Sequence, residues 1–346
     1  MAAARPLPPG IALVDLRGQI CHNRRVTIRE LFAGQSFRPP RVLRLLHATL
    51  LGLASLTFPS AAGTFRVATY NVETYLDQPT DSRPHIKSPA ARAKICESIL
   101  AARPDVLALE EMGGTNALLE LRASLQAGGQ AFPYWEHVEA YDTNIHVAVL
   151  SKLPIVARRP HTNDFFPLDD RRFQVKRGFA EVDLQAATNF TFTLIAAHLK
   201  SRLADGSADE AEERLGEARV LRGLIDARLK QNPAARLIVL GDFNDLKDSA
   251  PLKEIIGRGK TKLIDTRPAE RNGDDAPAEP RYQEPRNVAW TYFYGKTDEY
   301  SRIDYILISP ALSNHWVKRE TCIPMIPNWG VGSDHRLIVA EFATQY

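Results

Sequence analysis

The chain has 346 residues, 44% hydrophobic and 25% charged, ordinary globular composition and enough for one large domain or two small ones. Its formal charge of +3 is misplaced toward the front: residues 1–62 carry eight arginines against Asp15 and Glu30, so the remainder holds 36 Lys and Arg against 39 Asp and Glu. A slightly acidic body argues against a bulk electrostatic grip on nucleic acid, though not against a local basic groove, and no fixed-period repeat suggests a solenoid or propeller.

Residues 1–40 are rich in Pro and Arg and lack periodicity, so they read as a disordered extension or one added by an upstream start. The stretch 38–62, RPPRVLRLLHATLLGLASLTFPSAA, has a basic flank (Arg38, Arg41, Arg44), an apolar run from Leu45 to Phe58, and small residues at Ser60 and Ala62. This is the pattern of a secretory signal over 41–62. The run is short of the ~20 apolar residues a span needs. It predicts export to a periplasm or the outside, with no stable membrane insertion after processing. The alternative is a helix belonging to the fold.

From residue 64 onward, strands and helices interleave. TFRVATYNVE (64–73) is β-branched and apolar, a strand. The segment 88–103 opens on Ser88-Pro89 and stops before Pro104, a helix. DVLALEEM (105–112) is a short apolar strand; 116–126 is a helix with Leu118, Leu121 and Leu125 on one side. Strands follow at 145–155, 178–185 and 189–201. The segment 208–231 is a long amphipathic helix with acids early and bases late. ARLIVLGDFND (235–245), YSRIDYILIS (300–309) and VGSDHRLIVAEF (331–342) complete the strands. The segments 156–176 and 266–288 read as long loops, of the kind that are functional or mobile. Several neighbouring strands lack an intervening helix, which favours mixed sheets with helices outside. No linker divides the body, so 63–346 reads as one domain.

The same strands are apolar and then end, or begin, in residues a core cannot use: Asn71, Glu110 and Glu111, His198, Asp242 and Asn244, Asp334 and His335. Singly, each is explained by turn chemistry. Asp304 is different, because a carboxylate before Tyr-Ile-Leu-Ile is half buried and must be paired. Asp242 and Asn244 point the same way if strand geometry persists. If these ends converge, Asn71, Glu111, Asp242, Asn244 and Asp334 make an oxygen-rich inventory beside two histidines. That suits Mg²⁺, with Mn²⁺ the alternative, better than Zn²⁺. A carboxylate-held Mg²⁺ beside a His–Asp pair is equipment for hydrolysing a phosphate ester. The three cysteines, Cys21, Cys96 and Cys322, have no metal-type spacing; Cys96 and Cys322 are either small buried hydrophobes or a disulfide pair.

Seven motifs in order, TYNVE, DVLALEEM, VAVLSKLPI, AAHLKS, LGDFND, WTYFYGKTDEYSRIDYIL and GSDHRLIV, resemble the endonuclease/exonuclease/phosphatase superfamily across about 64–343. The resemblance implies a four-layer α/β sandwich: two mixed β-sheets packed face to face, helices outside. It implies Asn71 and Glu111 at the metal, with Asp334 beside it and Asp242 as base or second ligand. It implies Asn244 at the attacking water and phosphate, Asp304 orienting the acid–base His335, His198 as the second histidine, and Arg177 at substrate phosphate. Glu110 departs from the pattern: many relatives have Gln there. The bacterial members most like this chain are exported.

The leading expectation is a Mg²⁺-dependent exported nuclease, endo or exo, acting on a phosphodiester substrate and needing no protein partner. Phe165, Phe166 and Phe173 among Arg171, Arg172 and Arg177 add to it, since aromatics with cations suit nucleic acid strands. The alternatives are a phosphatase or phosphodiesterase of small molecules or lipid head groups, and a pseudoenzyme that only binds.

Overall fold

The computed structural model describes residues 63–345, apart from 204, 205, 207 and 272–286. The extension 1–40, the leader-like segment 41–62 and most of the 266–288 loop therefore lie outside the described residues.

In chain order the elements are β1 (Thr64–Tyr75), α1 (Pro89–Ala102), β2 (Val106–Met112), α2 (Thr115–Ala127), β3 (Tyr134–Val138), β4 (His146–Ser151) and β5 (Ile155–His161). Next come β6 (Phe165–Leu168), β7 (Arg171–Gln174), β8 (Phe179–Ala187), β9 (Phe190–His198), α3 (Glu210–Gln231) and β10 (Leu237–Asp242). The last are α4 (Ala250–Ile256), β11 (Ile264–Asp265), β12 (Tyr292–Tyr294), β13 (Glu299–Ser301), β14 (Asp304–Ile308) and β15 (Ile338–Ala343). One sheet runs β15-β1-β2-β4-β3 and the other β11-β14-β10-β9-β8-β5; β6-β7 and β12-β13 are separate hairpins.

Local chemistry sets the helix ends. Ser88 accepts from Ala91 N at the start of α1, with Pro89 in the first turn, and Arg103 turns left-handed before Pro104 to stop it. Asp209 caps α3 by accepting from Ala211 and Glu212. Glu210, Glu212 and Glu213 then face the positive end of the helix dipole, and Arg228 and Lys230 the negative end.

Three apolar clusters define four layers. The middle one joins the two sheets through Phe65, Val67, Val106 and Ala108 on one and Leu194, Ala196, Ile238, Leu240, Ile306 and Ile308 on the other. A second packs the far face of the first sheet against α1 and α2. A third packs the far face of the second sheet on α3 and α4. The expected two mixed sheets face to face, with helices outside, are what the molecule has.

Some expected elements differ. The segment 156–176 is not a loop: β5 forms the edge of the second sheet, and β6-β7 is a hairpin whose Phe166 seats on Gly216 of α3. Pro160 within β5 disguised that strand; an edge strand tolerates a missing N–H. Cys96 and Cys322 are both free thiols, the second buried, so the pairing option falls away. Strand β15 begins only at Ile338, leaving Gly332–Leu337 as its lead-in.

Candidate active site

The sheet topology brings the polar strand ends together. β1 and β2 are parallel, as are β9 and β10. β15 is antiparallel to β1, and β14 to β10. The C-termini of four strands and the N-termini of two therefore open on one edge of the sandwich. Side chains alternate with period two along a strand, so the inward rows continue from hydrocarbon into polar groups. Phe65 and Val67 are followed by Thr69 and Asn71. Val106 and Ala108 lead to Glu110, Leu194 and Ala196 to His198, and Ile238 and Leu240 to Asp242. Ile306 and Ile308 are preceded by Asp304. All six polar groups are buried.

His335 is the hub. Its Nδ1 lies 2.9 Å from Asp304 Oδ2 and its Nε2 3.7 Å from Asp242 Oδ2. Thr291 Oγ1 accepts from Asp304 N, and Ser333 Oγ accepts from His335 N while donating to Asn71 O. Burial disfavours the imidazolium, but Asp304 and Asp242 overcome it and hold His335 protonated, well above the usual histidine range. Across the cleft floor, His198 Nε2 lies 3.6 Å from the same Asp242 oxygen. Burial, with Arg177 and His335 nearby, holds that ring well below the usual range, so it is neutral.

Asp242 accepts from Asn71 Nδ2 (3.0 Å) and Asn244 N (2.8 Å). Burial lifts its carboxyl to about 7; His335 pulls it down and Asp304 pushes it up. Gly241 beside it needs to be glycine: its φ is +133°, and a Cβ there would sit 1.9 Å from Ala197 O. Glu110 accepts from Thr69 Oγ1 at 2.6 Å. Burial raises it well above the usual carboxylate range, the Thr69 hydrogen bond opposing and Asp304 and Asp242 adding to the rise, so it is a neutral acid.

Glu111 is delivered by a break in the ladder. The β1–β2 register shifts between Asn71 and Tyr75, and Glu73, Thr74 and Glu111 have φ of 45°, 55° and 60°. Left-handed backbone at non-glycine residues costs about 1–3 kcal/mol each; here it turns carboxylates toward the cleft. Thr74 N donates to Glu111 Oε2 at 3.0 Å. Asn71 Nδ2 lies 3.4 Å from Glu111 Oε1, while Glu73 N occupies Asn71 Oδ1. Asn71 thus ties Asp242 to Glu111, with its amide oxygen already engaged.

A cleft of about 530 Å³ opens over these groups, lined by Glu73, Glu111, Asp242, Asn244, Asp334 and His335, together with Arg83, Arg202, Tyr292 and Tyr294. Burial lifts Asp334 to about 6; His335 opposes the rise, and Glu73 and Glu111 add to it. The tightest set of ligand-type atoms among the described residues is Asp242, Asp304 and His335, within 4.8 Å of one another. Two of these are committed to each other, so that set handles a proton better than a cation. The oxygen-only pair at the mouth, Glu111 and Asp334, carries like charges of the kind a hard cation relieves, while Glu73 beside them is ion-paired to Lys87 at 2.9 Å.

Asn71, Glu111, His198, Asp242, Asn244, Asp304, Asp334 and His335 are thus gathered at one edge. Three details depart from the sequence reading. Asn244 does not extend β10: its φ is 53°, its N–H turns back to Asp242, and its Nδ2 donates to Leu199 O. Arg177 does not line the cleft. It is 7% exposed, donates to Leu199 O at 3.1 Å and faces Asp142 at 3.5 Å, so it braces the strand end from beneath. The Phe165/Phe166/Phe173 cluster also lies off the cleft, with Arg172 over Phe165 and Arg171 over Phe173. Sequence reasoning missed Glu73, Arg83, Arg202 and the two tyrosines. Glu73, two residues past Asn71 in TYNVE, carried the clearest signal.

The Endonuclease/Exonuclease/phosphatase family matches residues 68–335. No curated protein matches the chain. Among solved structures, the human Nocturnin catalytic domain with bound sulfate aligns with TM-score 0.55 at 16% identity, covering 81% of this chain and 94% of that one. Truncated Caenorhabditis elegans TDP2 aligns with TM-score 0.52 at 17% identity, covering 81% and 97%. Sphingomyelinase C from Streptomyces griseocarneus aligns with TM-score 0.51 at 22% identity, covering 81% and 100%. At such identities these three speak to the fold alone.

Proposed function

Because the chain belongs to the endonuclease/exonuclease/phosphatase family, and because its buried ionisable groups converge on one cleft, we propose that it is an exported, Mg²⁺-dependent phosphodiester hydrolase acting on nucleic acid. The observation that carries the reading is the chain of contacts Asp304–His335–Asp242, open to the cleft beside the Glu111 carboxylate. Export rests on the 38–62 pattern. The nucleic acid reading draws support from Tyr292 and Tyr294 on the cleft wall, which suit base stacking, and from Arg83 and Arg202 as phosphate-facing cations.

The divalent ion would be held by Glu111, with Asp334 beside it, and when bound would neutralise charge on the scissile phosphate. The chain's own residues do the rest. Asp242, poised near neutrality, accepts a proton from the attacking water. The new bond forms from water oxygen to phosphorus, and the ester P–O bond breaks toward an alcohol. His335, kept cationic by Asp304, stabilises the phosphate oxygens and supplies the leaving oxygen with its proton. Asn71 and Asn244 hold Asp242 through two hydrogen bonds, and neutral His198 presents a polar ring without adding charge.

The purified chain is assayed on plasmid DNA, single-stranded DNA, RNA, sphingomyelin and inositol phosphates, with Mg²⁺, with Mn²⁺ and with chelator. Cleavage of nucleic acid that stops with chelator is expected. Turnover untouched by chelator rejects the metal role, and turnover confined to sphingomyelin or inositol phosphates rejects the substrate class.

A further inference from the structure

The segment 247–262 connects β10 to β11 and carries Lys247, Lys253, Arg258, Lys260 and Lys262 against Asp248 and Glu254, in a body that is otherwise net acidic. Lys247, Lys253, Arg258 and Lys262 line a groove of about 620 Å³ together with Asp248 and Asp265. Asp265 is already engaged by Arg302, at 2.5 and 3.1 Å. Elsewhere the cations are mostly committed: Arg66, Arg159, Arg214 and Arg336 each meet a carboxylate. By contrast, the side chains of Lys253, Arg258, Lys260 and Lys262 are exposed, with no carboxylate, hydrogen-bond or ring partner among the described residues.

Four unneutralised cations within ten residues form a local source of positive potential, and a concave one focuses it. Along the chain, both sides of the groove are close to cleft residues. Lys247 follows Asn244 by three residues, and Arg302, which holds Asp265, lies between the cleft residues Ser301 and Ile303. Between 247 and 265 no large hydrophobic side chain is exposed; the nearest is the single Leu246 at the start of the segment.

We propose that this groove is a backbone-phosphate site that holds a polynucleotide to one side of the scissile bond. The inference rests on the hydrolase reading above and narrows its substrate to a polymer. Phosphates docked there would release counterions, making binding salt-dependent, with each cation adding about one unit to the slope of log affinity on log salt.

The test uses the full chain and the variant Lys253→Gln/Arg258→Gln/Lys262→Gln, all exposed positions outside the catalytic machinery. Binding of a fluorescent oligonucleotide is followed by anisotropy in chelator across a salt series, and turnover is measured on bis(4-nitrophenyl) phosphate with Mg²⁺. The variant is expected to bind the oligonucleotide about tenfold more weakly, with a slope shallower by about 2 to 3, and to hydrolyse the small diester at the wild-type rate. Equal affinity and slope overturn the proposal, as does a parallel loss of small-diester turnover. Hydrolysis of the small diester by a wild-type chain that binds no oligonucleotide sinks the groove and spares the hydrolase. Oligonucleotide binding that depends on the groove, with no turnover of any diester, does the reverse. Binding to anionic vesicles in place of the oligonucleotide also overturns it.

Discussion

The two ends of the layer between the sheets are built on the same strands with the same alternation, and they solve burial differently. At one end Phe65 stacks on Phe192 and Phe342 at 4.8 and 5.5 Å, with Phe190 edge-on at 5.7 Å. At the other, equivalent inward positions hold Glu110, His198, Asp242 and Asp304. Hydrocarbon is satisfied by shape, so the first end needs only volume. Ionisable groups are satisfied only by partners, so the second end survives as a connected network whose protonation is displaced by its own burial. The left-handed residues Glu73, Thr74, Glu111 and Asn244 gather at that end too. Stability and chemistry share one layer.

If the division holds, the largest effects fall on rate at the polar end. His335→Ala is expected to lower kcat by about 10²–10⁴-fold and Asp242→Asn by at least about 10²-fold, the scale of lost acid–base catalysis. Steady-state kinetics on whichever diester is turned over checks both; near wild-type rates in either variant remove the role given to that residue. At the aromatic end, Phe192→Ala is expected to cost about 3–5 kcal/mol of stability through the cavity it opens. Its kcat at a temperature where circular dichroism shows a folded chain should stay within about threefold of wild type. A large rate loss in the folded variant would mean that the two ends are not separable.

The sequence disclosed this division unevenly. The polar end was readable because Asn71, Glu111, His198, Asp242, Asp304 and His335 each interrupt an apolar strand, and a carboxylate such as Asp304 in that setting must have a partner. Mixed sheets with helices outside came from the order of the elements, and their face-to-face packing from the resemblance carried by the motifs. What resisted reading was set by tertiary context. Pro160 made an edge strand resemble a loop. Arg177 was expected at substrate phosphate, yet its guanidinium is turned inward to Leu199 O. Tyr292 and Tyr294 reach the cleft because β12 docks beside the catalytic segment: Phe293 N donates to Asp334 O, and Arg336 N to Thr291 O. No local pattern encodes that pairing across some forty residues.

The expected effect that is smallest on rate sharpens the contrast most, because it concerns a polar group that can be made non-titrating without changing its shape. Glu110 is fully buried and held as a neutral acid. Below the ordinary Glu range both the folded and unfolded chains carry its proton, and the group is pH-silent. As pH rises past about 4.5 the unfolded chain loses that proton while the folded chain keeps it, so folding is penalised progressively until pH passes the raised folded value. The favourable contribution is therefore present at acid pH and lost on the way up, by as much as about 1.4 kcal/mol per pH unit within that window. Glu110→Gln keeps an oxygen to accept from Thr69 and does not titrate. Denaturant melts of both proteins at pH 5, 6, 7 and 8 should show the variant gaining on wild type as pH rises, with rate at neutral pH little changed. A stability difference that stays flat across the series would mean that Glu110 is ionised in the folded chain, and that this end of the layer tolerates a charge that its burial and the neighbouring Asp304 and Asp242 argue against.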